Sequence, residues 1–317
     1  MSGSRRALVL LLLLGACARP GPQVADPRFV AAIDAPVFRG EGPRVCLDEG
    51  HDNFHTSTGR YAPVVAVLRA DGYRVDAARG PFSGDALARC DVLVVANALH
   101  PRNREDWSLP TPSAFAPEEV AALRAWVEAG GGLWLIADHM PFAGAAAELG
   151  AAFGFELANG FALRSGHQGP DLFTRAEGIA ADPLTDGDRP GLRVDQIATF
   201  TGSAFRPPPD ARVLLTLGPG FVSLEPQRAW QFDEATPRRD VAGWAQGAAV
   251  QRGAGRVVVF GEAAMFTSQV TGDRPAVGLT HPDARDNTRL LRNLALWLAT
   301  PSPTAGPAPA TSIADLP

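Results

Sequence analysis

The sequence predicts an α/β domain, a doubly wound and mostly parallel sheet that carries an irregular, β-rich central insertion. Three observations lead there. Short apolar runs such as DVLVVAN (91–97) and LWLIA (133–137) have the pattern of strands buried on both faces. Amphipathic, helix-like stretches alternate with those runs, and that alternation implies parallel strands joined by right-handed crossovers. Between about 155 and 250 the rhythm breaks into a Gly/Pro-rich section of short strand candidates.

Taken in order, Arg44–Asp48 is a short apolar strand. A helix follows with Pro63 in its first turn, apolar Val64, Val65, Val67 and Leu68, and Gly72 just past its end. Tyr73–Ala77 is a second strand and Asp91–Asn97 a third. Pro117-Glu118-Glu119 opens the next helix, with acids where the helix dipole favours them. Val120, Leu123, Trp126 and Val127 form its apolar stripe, and Gly130-Gly131-Gly132 ends it. Leu133–Ala137 is the next buried strand, and Ala143–Phe153 a short helix. The central section offers strands at Gln196–Phe200, Arg212–Leu217, Arg228–Phe232 and Ala248–Arg252, either as an insertion or as antiparallel strands extending the sheet. The β/α pattern resumes with Arg256–Gly261 and closes with the helix Asn287–Ala299.

The ends carry a different signal. MSGSRRALVLLLLLGAC places two arginines before an apolar run far shorter than the ~20 residues of a membrane span, so residues 1–17 read as a signal peptide. Leu14-Gly15-Ala16-Cys17 looks like a bacterial lipobox, which makes Cys17 the lipidation site. With alanine rather than aspartate at 18, resemblance to lipoproteins of two-membrane bacteria favours the periplasmic face of the outer membrane. Residues 18–40 then read as a tether, 41–300 as the α/β domain and 301–317 as a disordered tail. A formal net charge of −5 gives no basic stripe, so nucleic acid is not an expected partner and the membrane is reached through the lipid anchor alone. Cys46 and Cys90 lie in or beside predicted core strands and are expected as two buried free thiols, although the compartment allows a disulfide.

The polar residues concentrate at one predicted edge. In an open α/β sheet, ligands bind beyond the carboxyl ends of the strands. Five of the six histidines fall there: His51 and His55 after the first strand, His100 after DVLVVANAL, His139 after LWLIAD, and His281 in the loop after the last strand. The carboxylates Asp48, Glu49, Asp138 and Glu262 end three of the same strands. Burial and mutual repulsion there would raise a carboxyl pKa and suit it to acid–base work beside a histidine. These four are the candidate catalytic groups, with His51, Asn53, His55, Asn97, His139 and Gln269 as ligand-binding candidates. His51 and His55 share a face if their turn is helical, and with Asp138 could hold a divalent metal. The spacing is not HExxH, however, so no cofactor is required.

Each residue also has a structural explanation. Asp48 or Asp138 could cap the following turn, Asn53 and Asn97 could occupy left-handed turn positions, and Glu262 could receive the first amides of a short helix. Singly, His100, His167 and His281 read as solvated loop residues. The sequence has no GxSxG elbow, no GxxxxGK[ST] loop and no GxGxxG between a strand and a helix, so serine-hydrolase and nucleotide-binding chemistry lack support.

The segments DEGHDNFHT, YAPVVAVLRADGYRV, CDVLVVANAL, EEVAALRAWVEAGGGLWLIADHMP, VVVFGEAAMFTSQ and DNTRLLRNLALWL resemble an uncharacterised bacterial lipoprotein family with a fold like the class I glutamine amidotransferases. The resemblance covers most of 43–160 and 255–299 and implies an amidotransferase-like, flavodoxin-like sheet. Amidotransferases carry a nucleophilic cysteine in a sharp turn after the DVLVVAN-type strand. Here Asn97-Ala98-Leu99 stands in that turn, so glutamine amidotransferase activity is not expected. Related domains are associated with carbohydrate utilisation. The resulting expectation is an envelope-anchored lipoprotein with a His/Asp/Glu-lined crevice that binds, and can hydrolyse, a carbohydrate-like or envelope-derived ligand. The alternative is a non-catalytic ligand-binding or scaffold module of an envelope or transport assembly.

Overall fold

Five parallel strands form the spine of the computed structural model, which describes residues 23–167, 169–187, 191–270 and 276–300. They are β1 (Arg44–Asp48), β2 (Arg74–Ala78), β3 (Val92–Ala96), β4 (Gly132–Ile136) and, after the long insertion and β5 (Ala245–Arg252), β6 (Gly255–Phe260). The parallel strands lie side by side as β2-β1-β3-β4-β6. This is the order of the doubly wound flavodoxin type, in which the chain reverses direction across the sheet at the first strand.

Both faces of the spine are buried, and the strand residues divide between them alternately. Val45, Leu47, Val92, Val94, Trp134, Ile136, Val258 and Phe260 point towards α1 (Ala62–Ala70) and α3 (Asn287–Ala299). Cys46, Leu93, Val95, Leu133, Leu135, Val257 and Val259 point towards α2 (Pro117–Glu128) and the short helices that follow β4. That two-sided burial is why the strands read as unbroken apolar runs. The helix α2 starts and stops where its sequence directs. In α2, Pro117 takes the first position, Glu119 Oε2 accepts the Ala116 N–H at 2.9 Å, and Gly130 ends the helix at φ +124°.

Beyond β6 the sheet turns antiparallel. β5 pairs with β6 and also with Arg212–Thr216 and Phe205–Arg206, and Glu156–Leu157 closes the edge. The insertion therefore does both things its sequence allowed. It extends the main sheet, and it builds a three-stranded sheet (Phe161–Arg164, Phe221–Leu224, Arg238–Asp240) and a two-stranded ribbon (Asp171–Thr174, Gln196–Thr199) over the carboxyl edge of the spine.

Three expectations need correction. Arg228–Phe232 is not a strand: Arg228 makes an isolated bridge to Ser108, and Trp230 adopts φ +65°, which turns the chain out of any ladder. The helix expected over Ala143–Phe153 is two short ones, Phe142–Ala145 and Ala147–Ala152. Cys46 and Cys90 are not free thiols but a disulfide, with 5.8 Å between their Cα atoms, because the turn before β3 brings Cys90 over the face of β1.

Cys17, residues 18–22 and the tail 301–317 lie outside the described residues. The described remainder of the tether segment lies against the domain. Val24 and Ala25 pair with Val270 and Gln269, and Phe29, Ala31, Ile33 and Phe38 pack on the core. Arg292 fastens this segment by donating to Asp71 and to the Ala35 carbonyl, while Asp71 also accepts the Val37 N–H. No helix among the described residues is long and apolar enough to cross a membrane.

Candidate functional site

The carboxyl ends of β1, β3 and β4 and the loop after β6 meet at a cleft of about 350 Å³. Of the residues expected here, His55, Asn97, Asp138, His139, Gln269 and His281 line it. Phe54, Phe142, Phe200 and Trp230 supply aromatic lining. The last two come from the insertion, which folds over the edge rather than standing apart from it.

Asn97 organises the polar lining. It ends β3 at φ +51°, and its Oδ1 accepts the Asp138 N–H at 2.9 Å. A backbone N–H can only donate, so the amide orientation is set, and Nδ2 is left to donate to His55 Nδ1 at 3.1 Å. His55 therefore carries its proton on Nε2. Burial, reinforced by the charge of Arg60, pushes its pKa down to about 3, so the ring is neutral at any physiological pH. His139 takes the opposite tautomer. Its Nδ1 lies 2.6 Å from the Met140 carbonyl, which can only accept, so the neutral ring presents an unprotonated Nε2. It stacks on Phe161 with ring centres 4.5 Å apart. The two imidazoles thus offer the cleft a donor and an acceptor.

The carboxyls are buried. Burial raises Asp138 above the usual carboxylate range, against the pull of hydrogen bonds from the His139 and Ala263 amides. Glu262 is fully buried behind the cleft. Burial first and the Asp138 charge second push it well above its ordinary value, although its oxygens accept the Ala264 and Met265 amides at 2.8 and 2.7 Å. The short-helix cap foreseen for Glu262 is therefore real, and the residue also stands beside Asp138. Two buried carboxyls so placed retain a proton to higher pH than either would alone. Gly202 lets the chain pass close over Glu262, because a Cβ there would collide with the Gly261 carbonyl and the Glu262 side chain.

The rest of the expected crevice sits elsewhere. Asp48, His51 and Asn53 form a separate buried network. His51 Nδ1 lies 2.9 Å from both Asp48 oxygens and its Nε2 2.9 Å from Glu119 Oε1, while Asn53 Nδ2 donates to Asp48 Oδ2. Burial alone would lower the His51 pKa; the Asp48 and Glu119 carboxylates outweigh it and raise the pKa. Glu49 is drawn away by Ser57 and Arg79. His51, His55 and Asp138 are therefore not assembled as a ligand set, and among the described residues no group of three His, Cys, Asp or Glu is arranged to hold a metal. The His51 network instead fastens the loop that carries Phe54 and His55, since Asn53 also reaches the Ala96 carbonyl and the Phe54 N–H donates to the Asn97 carbonyl.

One lining residue, Arg60, had no clear sequence signal. Arg60 lies 4.1 Å from the Phe54 ring centre, and its Nε donates to Gln269 Oε1 at 3.2 Å. Behind the lining, Tyr61 is fully buried against His55, and its hydroxyl donates to the Ala263 carbonyl. His281, which the sequence placed at this edge although singly it read as a solvated loop residue, lines the cleft. Backbone strain marks the same place. Of the four non-glycine residues at positive φ among the described residues, Asn97, Thr201 and Trp230 line the cleft, and Thr201 at +93° is a β-branched outlier.

No protein-family model matches the chain, and no curated protein matches it. Solved structures do resemble it. The mmIFT52 N-terminal domain superposes with a TM-score of 0.58 at 12% identity, over 81% of this chain and 97% of that one, which shows a shared fold. A ThuA-like protein from Bacteroides uniformis gives 0.44 at 12% identity over 85% and 94%. Another, from Parabacteroides merdae, gives 0.43 at 14% over 82% and 90%.

Proposed function

We propose that this protein is an envelope lipoprotein, lipidated at Cys17 on the periplasmic face of the outer membrane, whose cleft binds a carbohydrate-like ligand and hydrolyses it. The observation that carries the reading is the convergence of one carboxyl, two imidazoles of opposite tautomer and a carboxamide beneath aromatic side chains. Aromatic faces suit the apolar faces of sugar rings, and fixed polar groups among them suit hydroxyls. In the reaction, Asp138 gives its proton to the leaving-group oxygen while His139 Nε2 takes one from the attacking water. The His55 Nε2–H donates to the ligand. The paired cleft carboxylates of common glycosidases are not the arrangement here, because Glu262 lies behind Asp138 rather than across from it. Burial is what raises Asp138, and the Asp138 charge in turn raises Glu262.

A second reading has its own support. In the amidotransferases that the sequence resembles, a cysteine occupies the turn where Asn97 now stands, and a carboxamide is no nucleophile. A module that binds without turning over would keep this cleft. A panel of chromogenic glycosides and acetylated sugars, assayed for binding and for release, separates the two. Hydrolysis is expected from the wild-type chain, with Asp138→Asn lowering kcat at least ~100-fold while affinity stays within a few-fold. Binding with no turnover by the wild type would establish the module instead.

A further inference from the structure

The N-terminal segment takes part in the cleft. Gln23 lines it, and Val24–Ala25 adds a strand to Gln269–Val270, the stretch that carries cleft-lining Gln269. Cys17 stands six residues before Gln23. Six residues span at most about 20 Å even when fully extended. An acyl chain on Cys17 would therefore hold the cleft mouth, rather than the opposite edge of the sheet, next to the bilayer.

An independent feature marks the same surface. The described residues include six exposed large apolar side chains, and four of them lie at or within two residues of the cleft lining. These are Val24 beside Gln23, Leu172 after Pro170, Trp230 itself and Phe232. Trp230 and Phe232 both meet Phe161, at 4.7 and 5.0 Å between ring centres, so they form one patch rather than scattered residues. Exposed aromatic and aliphatic side chains clustered around a polar cleft fit a lipid–water interface, where apolar surface is covered while polar groups stay hydrated.

We propose that the cleft faces the membrane and takes a sugar-like group presented at the lipid surface to which the chain is anchored. The inference rests on lipidation of Cys17, as proposed above. Energy transfer tests it on the acylated full chain in phosphatidylcholine/phosphatidylglycerol vesicles that carry a headgroup-labelled acceptor. A donor is attached at Gln231→Cys, beside Trp230, or at Ala129→Cys, at the amino edge of β4. Both positions are exposed and outside the cleft lining. With Cys46 and Cys90 in a disulfide, labelling is selective. The transfer efficiency from position 231 is expected to be at least twice that from 129. Equal transfer, or stronger transfer from 129, would overturn the orientation. Mass spectrometry of the mature chain reads the premise separately, and an unmodified Cys17 would remove both the anchor and this inference.

Discussion

His51 holds two carboxylates at once, and this gives its stability a definite pH dependence. In the fold its pKa is raised, so its contribution is fully present below the unfolded value near 6.5 and is lost as pH rises through the folded value. Glu119 runs the other way. Burial opposes its ionisation, but the Ala116 and Phe82 amides and His51 lower its pKa, so its contribution is lost as pH falls through that lowered value. The network therefore stabilises most between the two. His51→Gln should cost about 3 kcal/mol at pH 6, because one amide cannot serve both carboxylates. It should cost clearly less at pH 9, as urea unfolding at the two pH values would read. An equal cost at both would mean that the imidazole is not charged in the fold. Residue by residue, the sequence conveyed chemistry better than grouping. Asp138, His139 and His55 do meet, but His51 pairs with Glu119, 68 positions away, and no local pattern announces such a partner.

At the scale of elements, the loop from β1 to α1 is held from three sides. The Leu99 N–H donates to the His51 carbonyl, the Phe54 N–H to the Asn97 carbonyl, and the Glu49 N–H to the Ala78 carbonyl. The disulfide secures the strand that launches this loop to the turn before β3. It closes a 44-residue separation, which corresponds to about 4 kcal/mol of chain entropy. Cys46→Ser/Cys90→Ser should therefore unfold several degrees lower in a thermal melt, and an unchanged melting temperature would show that the bridge is not formed in the protein. The spine strands and helices were legible because both-face burial and capping leave local marks. In the insertion the strands over 196–199, 212–216 and 245–252 were legible too, but their pairing was not, since it depends on distant partners. The cleft aromatics Phe200 and Trp230 went unseen for the same reason.

For the whole molecule, strand order concentrates chemistry at one edge. The parallel strands run in the order that reverses at β1, and the cleft opens where β1 and β3 separate their crossovers. The insertion then covers that edge with aromatic side chains, and the N-terminal segment returns to its mouth. The sequence showed that polar residues gather at the strand ends. It could not show that they divide into a cleft and a buried support, because that division depends on which side chains turn inwards. The central claim is that Asp138 carries a proton at the surface of a sugar-binding cleft. Carbon-13 NMR of the carboxyl groups, titrated with and without the tightest-binding sugar of the panel, tests it most directly. The signal that disappears in Asp138→Asn is expected to titrate above the ordinary aspartate value near 4 and to move when sugar is added. A signal that titrates at the ordinary value and ignores a sugar that binds would contradict the account.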